Sequence, residues 1–114
     1  MIIKNQTKNT TLTDQCRVAD TFFTRLRGLL GSPPLEAGQG LLLVSEKSIH
    51  TLFMSFSLDI VYIDKNQTVI KLDYDMPPYR LGSYVKQAAY ILELPVGVIE
   101  QTQTVVGDQL HFSK

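Results

Sequence analysis

The chain has 114 residues, of which 44% are hydrophobic and 19% are charged, a balance typical of a globular protein. This length predicts one domain, residues 1–114, with a single hydrophobic core. Basic and acidic side chains both number 11, so the formal net charge is zero. Nucleic-acid binding is therefore not expected, because it requires a basic surface.

Cysteine content and hydropathy exclude further classes of protein. Cys16 is the only cysteine, so neither an internal disulfide nor a zinc site built from several thiolates can form. Residues 1–5 are too few and too polar for a signal peptide, and the longest apolar runs fall far short of the ~20 residues of a membrane helix. The sequence therefore predicts a soluble, cytoplasmic protein without a membrane span.

The first 30 residues predict two short strands followed by a helix. Residues 1–19 form the two strands around a polar turn, with Leu12, Cys16 and Val18 at alternating positions. A helix is predicted near residues 20–30, because apolar side chains recur at helical spacing and fill an arc of about 120°. The residues in this arc are Phe22, Phe23, Leu26, Leu29 and Leu30.

The rest of the chain predicts strands separated by turns, at residues 41–44, 49–54, 58–63, 68–74, 88–94 and 109–112. The strand at 58–63 is apolar on both faces, which is not expected of an edge strand. Residues 64–67 predict a tight hairpin turn, and residues 96–102 predict a short helix. In the strand that follows the turn, Ile70, Leu72 and Tyr74 are predicted to share one face.

Many short strands with turns between them favour a sandwich or barrel over a parallel sheet with crossover helices. The sequence therefore predicts a mostly β fold, of β-sandwich type, with one short α-helix near residues 20–30.

Seven short segments, taken in order, carry a likeness to one family. They are Arg25-Leu26-Arg27-Gly28-Leu29-Leu30, Gly40-Leu41-Leu42-Leu43, Ser48-Ile49-His50-Thr51, Phe53-Met54, Leu58-Asp59-Ile60-Val61-Tyr62-Ile63-Asp64, Leu92-Glu93-Leu94-Pro95-Val96-Gly97 and Gly107-Asp108. In this order and spacing they resemble the bacterial and archaeal family called domain of unknown function 192, from about residue 17 to 112. The resemblance implies a compact β-sandwich of jelly-roll type with a short helix, and it implies no reaction. Many relatives have Cys or Pro where this chain has Glu46-Lys47, a difference that argues against a thiol mechanism near His50.

Glu93 is the one charged residue in an otherwise apolar strand, where it shares a face with Ile91. A buried carboxylate needs a cation, several hydrogen bonds or a proton. The structural interpretation is an ion pair with an arginine, for which the candidates are Arg25, Arg80 and Arg27. The functional interpretation is an acid or base with a raised pKa.

His50 lies in a predicted apolar strand, where a single histidine is most often a hydrogen-bonded core residue. Neutral imidazole can also be a metal ligand or a general base. The second histidine, His111, is distant in the sequence, so no close pair of ligands exists and we expect neither a metal nor a cofactor.

Three aspartates flank strands or turns. Asp59 opens the most apolar strand, where we expect it to accept hydrogen bonds from the backbone of a neighbouring loop. Asp64 is predicted to hold the backbone of the hairpin turn, and Asp108, which follows a glycine, is interpreted in the same way as Asp59.

The loop at residues 76–83 combines rigid prolines with an aromatic ring and a planar cation, Tyr79 and Arg80. Such a loop can form the wall of a binding site, or it can be a stiff connection whose tyrosine covers one end of the core.

Two functions fit these features. The first is a binding or accessory module without chemistry of its own, which takes a small-molecule or protein ligand. The second is a small acid–base enzyme, hydrolase-like, that uses His50, Asp59 and Glu93. Convergence of these three side chains on one site would favour the enzyme.

Overall fold

The computed structural model describes residues 1–21, 34–47, 56–78 and 83–114. Within these ranges the protein is mostly β, as the sequence predicts. The elements are β1 Ile2–Asn5, β2 Thr10–Thr13, β3 Gln15–Ala19, β4 Gln39–Val44, β5 Leu58–Ile63, β6 Val69–Met76, β7 Tyr90–Leu94, α1 Val98–Gln101 and β8 Leu110–Ser113. The predicted helix near residues 20–30 and the predicted strand at 49–54 fall largely or wholly outside the described residues.

The strands form two sheets. One sheet has three antiparallel strands in the order β2-β1-β8, and the other has five in the order β3-β4-β7-β5-β6. Within the five-stranded sheet only β3 and β4 are parallel to each other. Strand β5 lies between β7 and β6, and all six of its residues are buried, so the prediction that it is not an edge strand is confirmed.

Apolar side chains pack on both faces of the five-stranded sheet. The inner cluster lies between one face of the five-stranded sheet and the three-stranded sheet. Its buried members include Ile3, Leu12, Leu42, Val61, Leu92, Leu94, Ile99 and Leu110. The outer cluster covers the opposite face and contains Ala19, Leu41, Leu43, Leu58, Ile60, Tyr62, Met76 and Ile91. Burying one such large aliphatic side chain contributes roughly 1.5–3 kcal/mol, so both faces of this sheet stabilise the fold.

The N-terminal segment differs from its prediction. Three strands replace the expected two, because β2 and β3 are separate strands on either side of Asp14. Val18 alternates with Cys16 in the sequence, yet Val18 is 40% exposed whereas Cys16 is buried. The reason is its position in β3, which is an edge strand of its sheet.

Strand β6 does not keep the simple alternation that the sequence predicts. Its pairing with β5 shifts register at two bulges, one between Asp73 and Met76 and one at Ile70. Because of these shifts, Ile70 packs against the outer cluster while Leu72 packs against the inner one, and Tyr74 is 57% exposed. The prediction that these three residues share one face is therefore wrong.

The short helix predicted at residues 96–102 is present as α1, and the hairpin turn predicted at residues 64–67 joins β5 to β6. No helix in the described ranges is long and apolar enough to cross a membrane. The jelly-roll connection of the strands stays a prediction.

Candidate functional site

Glu93 lies on β7, the middle strand of the five-stranded sheet. Its paired residues on the neighbouring strands are Leu41 of β4 and Ile60 of β5. Neither aliphatic side chain can accept or donate a hydrogen bond, and Glu93 itself is only 1% exposed. The sequence-based prediction that this carboxyl is withdrawn from water is therefore confirmed.

The row that contains Glu93 continues to both edges of the sheet. Leu41 also pairs with Arg17 of β3, and Ile60 also pairs with Asp73 of β6. Paired residues point to the same face of a sheet, so we call these five residues the Glu93 row. Strands lie about 4.8 Å apart, which places the backbones of Arg17 and Asp73 about 10 Å from that of Glu93 on opposite sides.

Asp73 belongs to a small polar cluster at the β6 end of this face. The Tyr62 hydroxyl donates to Asp73 Oδ2 at 2.7 Å, and Lys71 Nζ donates to Asp73 Oδ1 at 3.0 Å. Burial and the hydrogen bond to Asp73 raise the pKa of Tyr62, so the phenol stays protonated. Both oxygens of Asp73 are therefore engaged by its neighbours, and the Asp73 cluster is defined as Tyr62, Lys71 and Asp73.

The Glu93 carboxyl has a different environment. Burial raises its pKa to about 8, although the charge of Arg17 acts in the opposite direction. At neutral pH the group is therefore mainly the uncharged acid, which has one O–H donor and can also accept. Its Oε2 atom is buried and has no hydrogen-bond partner among the described residues. A buried polar atom without a partner costs about 1–3 kcal/mol.

Asp59 serves a different part of the structure. Its Oδ1 accepts from the Asp75 backbone N–H at 2.9 Å, and its Oδ2 accepts from the N–H groups of Gly97 and Ile99, both at 3.0 Å. One carboxylate thus holds both a bulge in β6 and the start of α1. Hydrogen bonds to backbone donors are what the sequence predicts for Asp59.

Asp59 and Glu93 lie on opposite faces of the sheet. Asp59 pairs with Leu94, which packs in the inner cluster, whereas Glu93 shares its row and its face with Ile60 of the outer cluster. The two carboxyl groups therefore do not converge on one site. Convergence of Asp59 with Glu93, which would favour the enzyme, is not observed, because Asp59 and Ile60 are consecutive residues of β5 and point to opposite faces.

The other two aspartates, Asp64 and Asp108, accept hydrogen bonds from the backbone of turns. Asp64 Oδ1 accepts from the backbone N–H groups of Asn66 and Thr68, each at 2.9 Å. Asp108 is 3% exposed, and its Oδ2 accepts from Asn5 Nδ2 at 2.8 Å and from the Val105 N–H at 3.0 Å. Burial favours a higher pKa for Asp108, but these hydrogen bonds together with Lys8 lower it below its usual range.

Cys16 lacks the environment of a nucleophile. It is 6% exposed, and burial raises the pKa of its thiol to about 11. The thiol form therefore predominates at neutral pH, and only the thiolate is a strong nucleophile.

The remaining candidates, His50, Arg25, Tyr79 and Arg80, lie outside the described residues, and so does Arg27. Their predicted roles stay predictions. In the part of the chain that the structure describes, no three His, Cys, Asp or Glu side chains are grouped as metal ligands would be.

Comparison with known proteins gives the family. The model of the family DUF192, described as Uncharacterized ACR, matches residues 2–112. The chain belongs to DUF192. A UPF0127 protein of Thermococcus sibiricus is 36% identical over 112 residues, which cover 95% of this chain and 72% of that protein. A UPF0127 protein of Pyrococcus horikoshii is 31% identical, with 97% of this chain and 98% of that protein covered.

Two solved structures share the fold of this DUF192 chain. A protein of unknown function from Novosphingobium aromaticivorans has a TM-score of 0.81 and 14% identity, over 97% of this chain and 82% of that one. A Sinorhizobium meliloti protein that was proposed to be a transcription regulator has a TM-score of 0.81 and 19% identity, over 96% of this chain and 89% of that one. The family match over residues 2–112 confirms the DUF192 resemblance inferred from the sequence.

The sequence of this DUF192 chain did not reveal Arg17 as a member of the Glu93 row or Tyr62 as a residue of the adjacent row. A signal was available for the Asp73 cluster, because Lys71 and Asp73 fall on one face of their strand and Tyr62 carries a hydroxyl within a largely apolar strand. What the sequence lacks is the strand order, which brings these residues onto the face that carries Glu93.

Proposed function

We propose that this protein is a binding module without chemistry of its own, and that its ligand binds the Glu93 face. The Glu93 face is the outer side of the five-stranded sheet, formed by the Glu93 row together with the adjacent row, which contains Ala19, Leu43, Ile91, Tyr62 and Lys71. The observation that carries the proposal is the buried Oε2 atom of Glu93, which has no hydrogen-bond partner among the described residues.

The physical reason is the cost of that atom. A ligand that offers Glu93 a hydrogen bond removes the cost and gains the bond, while aliphatic neighbours such as Leu41 and Ile60 supply apolar contact area. A few polar groups within an apolar surface is the usual composition of a small-molecule site.

A ligand reaches Glu93 only if the packing above it opens. In the part of the chain that the structure describes, the half-buried side chains that pack against the outer cluster, and would have to be displaced, are Leu35, Phe56, Ile70 and Val85. Three of them lie outside the strands, where a shift does not break the sheet. We therefore expect association to be slower than for a preformed site.

Binding is favoured over catalysis by the position of Asp59. All of its described hydrogen bonds go to backbone N–H groups, and its side chain points away from the Glu93 face. An acid–base enzyme would need a second group beside Glu93, and the nearest described candidate, Asp73, is engaged by Tyr62 and Lys71.

An arginine of the chain itself is the competing partner for Glu93. Arg25 is the first sequence-based candidate and Arg80 the second, and both lie outside the described residues. Either pairing would satisfy the carboxyl without a ligand. Measurement of the coupling between Glu93 and each arginine therefore belongs to the test.

The test is a fragment screen on isotopically labelled protein, followed by amide chemical shifts. We expect hits to move the amide signals of Leu41, Ile60 and Glu93 in the wild type and to lose that effect in Glu93→Gln. The matched control is Glu100→Gln, because Glu100 is an exposed carboxylate on α1. Hits that map elsewhere, or that bind both variants equally, would contradict the proposal.

We also propose a cytoplasmic location and no binding to nucleic acid. The zero net charge supports the second proposal. The likeness to the Sinorhizobium meliloti protein concerns the fold alone, since the identity is 19%.

A further inference from the structure

We propose that the ligand of the Glu93 face is an organic cation, a primary amine or guanidinium on an apolar body, which donates its hydrogen bonds to the buried Glu93 carboxyl. This inference rests on the proposed function. It follows from three features of the face: the unpartnered oxygen, its apolar neighbours and the positions of the other charges.

The apolar neighbours determine the body of the ligand. In its own row Glu93 is flanked by Leu41 and Ile60, and two residues along β7 lies Ile91, whose row contains Leu43 and Tyr62. These five side chains are at most 4% exposed. A hydrophobic ligand body can pack among these side chains. A second polar group on the ligand would have no hydrogen-bond partner there.

The charges determine the head group. Among the described strand residues, the charged and titratable side chains that share this face with Glu93 are Arg17 from β3, Tyr62 from β5, and Lys71 and Asp73 from β6. Asp73 already binds Tyr62 and Lys71, so the described cation that acts on Glu93 is Arg17. Arg17 is exposed and two strands away.

A ligand cation has the advantage of distance over Arg17. Coulomb attraction falls as the inverse of distance, so a cation that donates directly to the carboxyl interacts more strongly than Arg17, whose backbone lies two strands from that of Glu93. Charge-assisted hydrogen bonds are also about twice as strong as neutral ones. An uncharged ligand gains neither advantage.

Cation binding requires Glu93 to lose its proton, and this gives the proposal a signature. Each complex releases one proton at neutral pH, where Glu93 is mainly protonated in the free protein. Below about pH 8 the dissociation constant should therefore decrease tenfold for each unit by which the pH is raised. Above that pH it should level off, as linkage requires.

The experiment compares hexylamine, a cation at these pH values, with hexanamide, a neutral molecule of similar shape. Binding is followed by amide chemical shifts, and proton release is measured by calorimetry in two buffers of different ionisation enthalpy. We expect hexylamine to shift the amide signals of the Glu93 row, to bind more than tenfold more weakly to Glu93→Gln, and to bind Glu100→Gln as it binds the wild type. The pH series on the wild type provides a second test that does not depend on the variant.

The outcomes separate the two proposals. If hexanamide binds the same face as tightly as hexylamine and no proton is released, the cation assignment is wrong while the binding face stands. Equal hexylamine binding by Glu93→Gln also overturns the assignment. If neither probe moves these signals at millimolar concentration, both proposals fail.

Discussion

Glu93 and Arg17 lie in the same row of the five-stranded sheet, with Leu41 between them. The carboxyl is 1% exposed whereas the arginine is at the exposed edge of the sheet. Arg17 attracts the ionised form of Glu93 across the intervening Leu41, without a direct contact. Burial therefore outweighs the attraction, and the pKa of Glu93 is raised to about 8.

We predict that Glu93 makes the protein less stable as pH rises. A carboxyl with a raised pKa binds its proton more tightly in the folded state, so its stabilising effect is complete below the unfolded pKa of about 4.3. The effect is lost between that pH and the folded pKa of about 8. The slope is at most about 1.4 kcal/mol per pH unit. Urea denaturation at several pH values measures it, and Glu93→Gln should remove it whereas Glu100→Gln should not.

The same variants test the competing arginine. Below about pH 4.3, Glu93→Gln should change the free energy of unfolding by less than about 1 kcal/mol, because the amide has the shape of the neutral acid. Near neutral pH the variant should be the more stable protein, because it lacks the titration that destabilises the wild type. A loss of about 3–5 kcal/mol that is coupled to Arg25→Gln or Arg80→Gln would instead indicate a buried ion pair. That result would contradict an unpartnered carboxyl.

We predict that Asp59→Asn destabilises the fold strongly. The carboxylate has two acceptor oxygens, which accept from three backbone N–H groups, whereas asparagine has one acceptor oxygen. The amide N–H of asparagine would also face a donor. The expected loss is about 2–4 kcal/mol, measured by chemical denaturation.

Asp64→Asn is the matched control for Asp59→Asn. Asp64 holds its turn through Oδ1 alone, and asparagine is a common turn residue, so the loss should stay below about 1 kcal/mol. Equal losses in the two variants would mean that Asp59 does not anchor the β6 backbone at Asp75 and the start of α1.

We predict that Asp108 contributes to acid sensitivity. Its pKa is lowered, so the stabilisation it provides is complete above the unfolded pKa and is lost as pH falls through the folded pKa. Asp108→Ala should cost about 2–3 kcal/mol near neutral pH, because Asn5 and Val105 lose their acceptor. It should also flatten the fall in stability at acid pH.

Lys8→Met separates the ion pair from the buried hydrogen bonds. Lys8 Nζ lies 3.0 Å from Asp108 Oδ2, but the lysine side chain is 29% exposed. Solvent screens such a pair, so we expect a loss below about 1 kcal/mol. A loss as large as that of Asp108→Ala would show that the ion pair dominates.

We predict no binding to DNA or RNA at physiological salt. The formal net charge is zero, so few counterions would be released on contact. A gel-shift assay at micromolar protein tests this. A complex that forms there and dissociates when salt is raised would contradict the prediction.

Local features of the fold could be predicted from the sequence. Strand β5 follows from a run that is apolar apart from Asp59 and the Tyr62 hydroxyl, and the turn after it follows from Asp64 and the polar residues behind it. The burial of Glu93 was predictable as well, because a strand with apolar residues on both faces is packed on both faces. These features depend on neighbours within a few residues of chain.

Other features depend on which strands pair and in what register. The order β4-β7-β5 surrounds Glu93 with Leu41 and Ile60, and the pairings at the two edges add Arg17 and Asp73 to its row. Contacts of this kind join residues far apart in the chain, so no local pattern specifies them.

The faces of the sheet show the same limit. The sequence predicts that Asp59 and Ile60 point in opposite directions, since side chains alternate along a strand. Only the register between β5 and β7 places Glu93 on the side of Ile60 and away from Asp59. The bulge at Ile70 also belongs to the tertiary structure, because it arises from the pairing of β6 with β5. The sequence by itself thus determined that β5 and β7 are buried strands, and the pairing of the strands decided which of their residues meet.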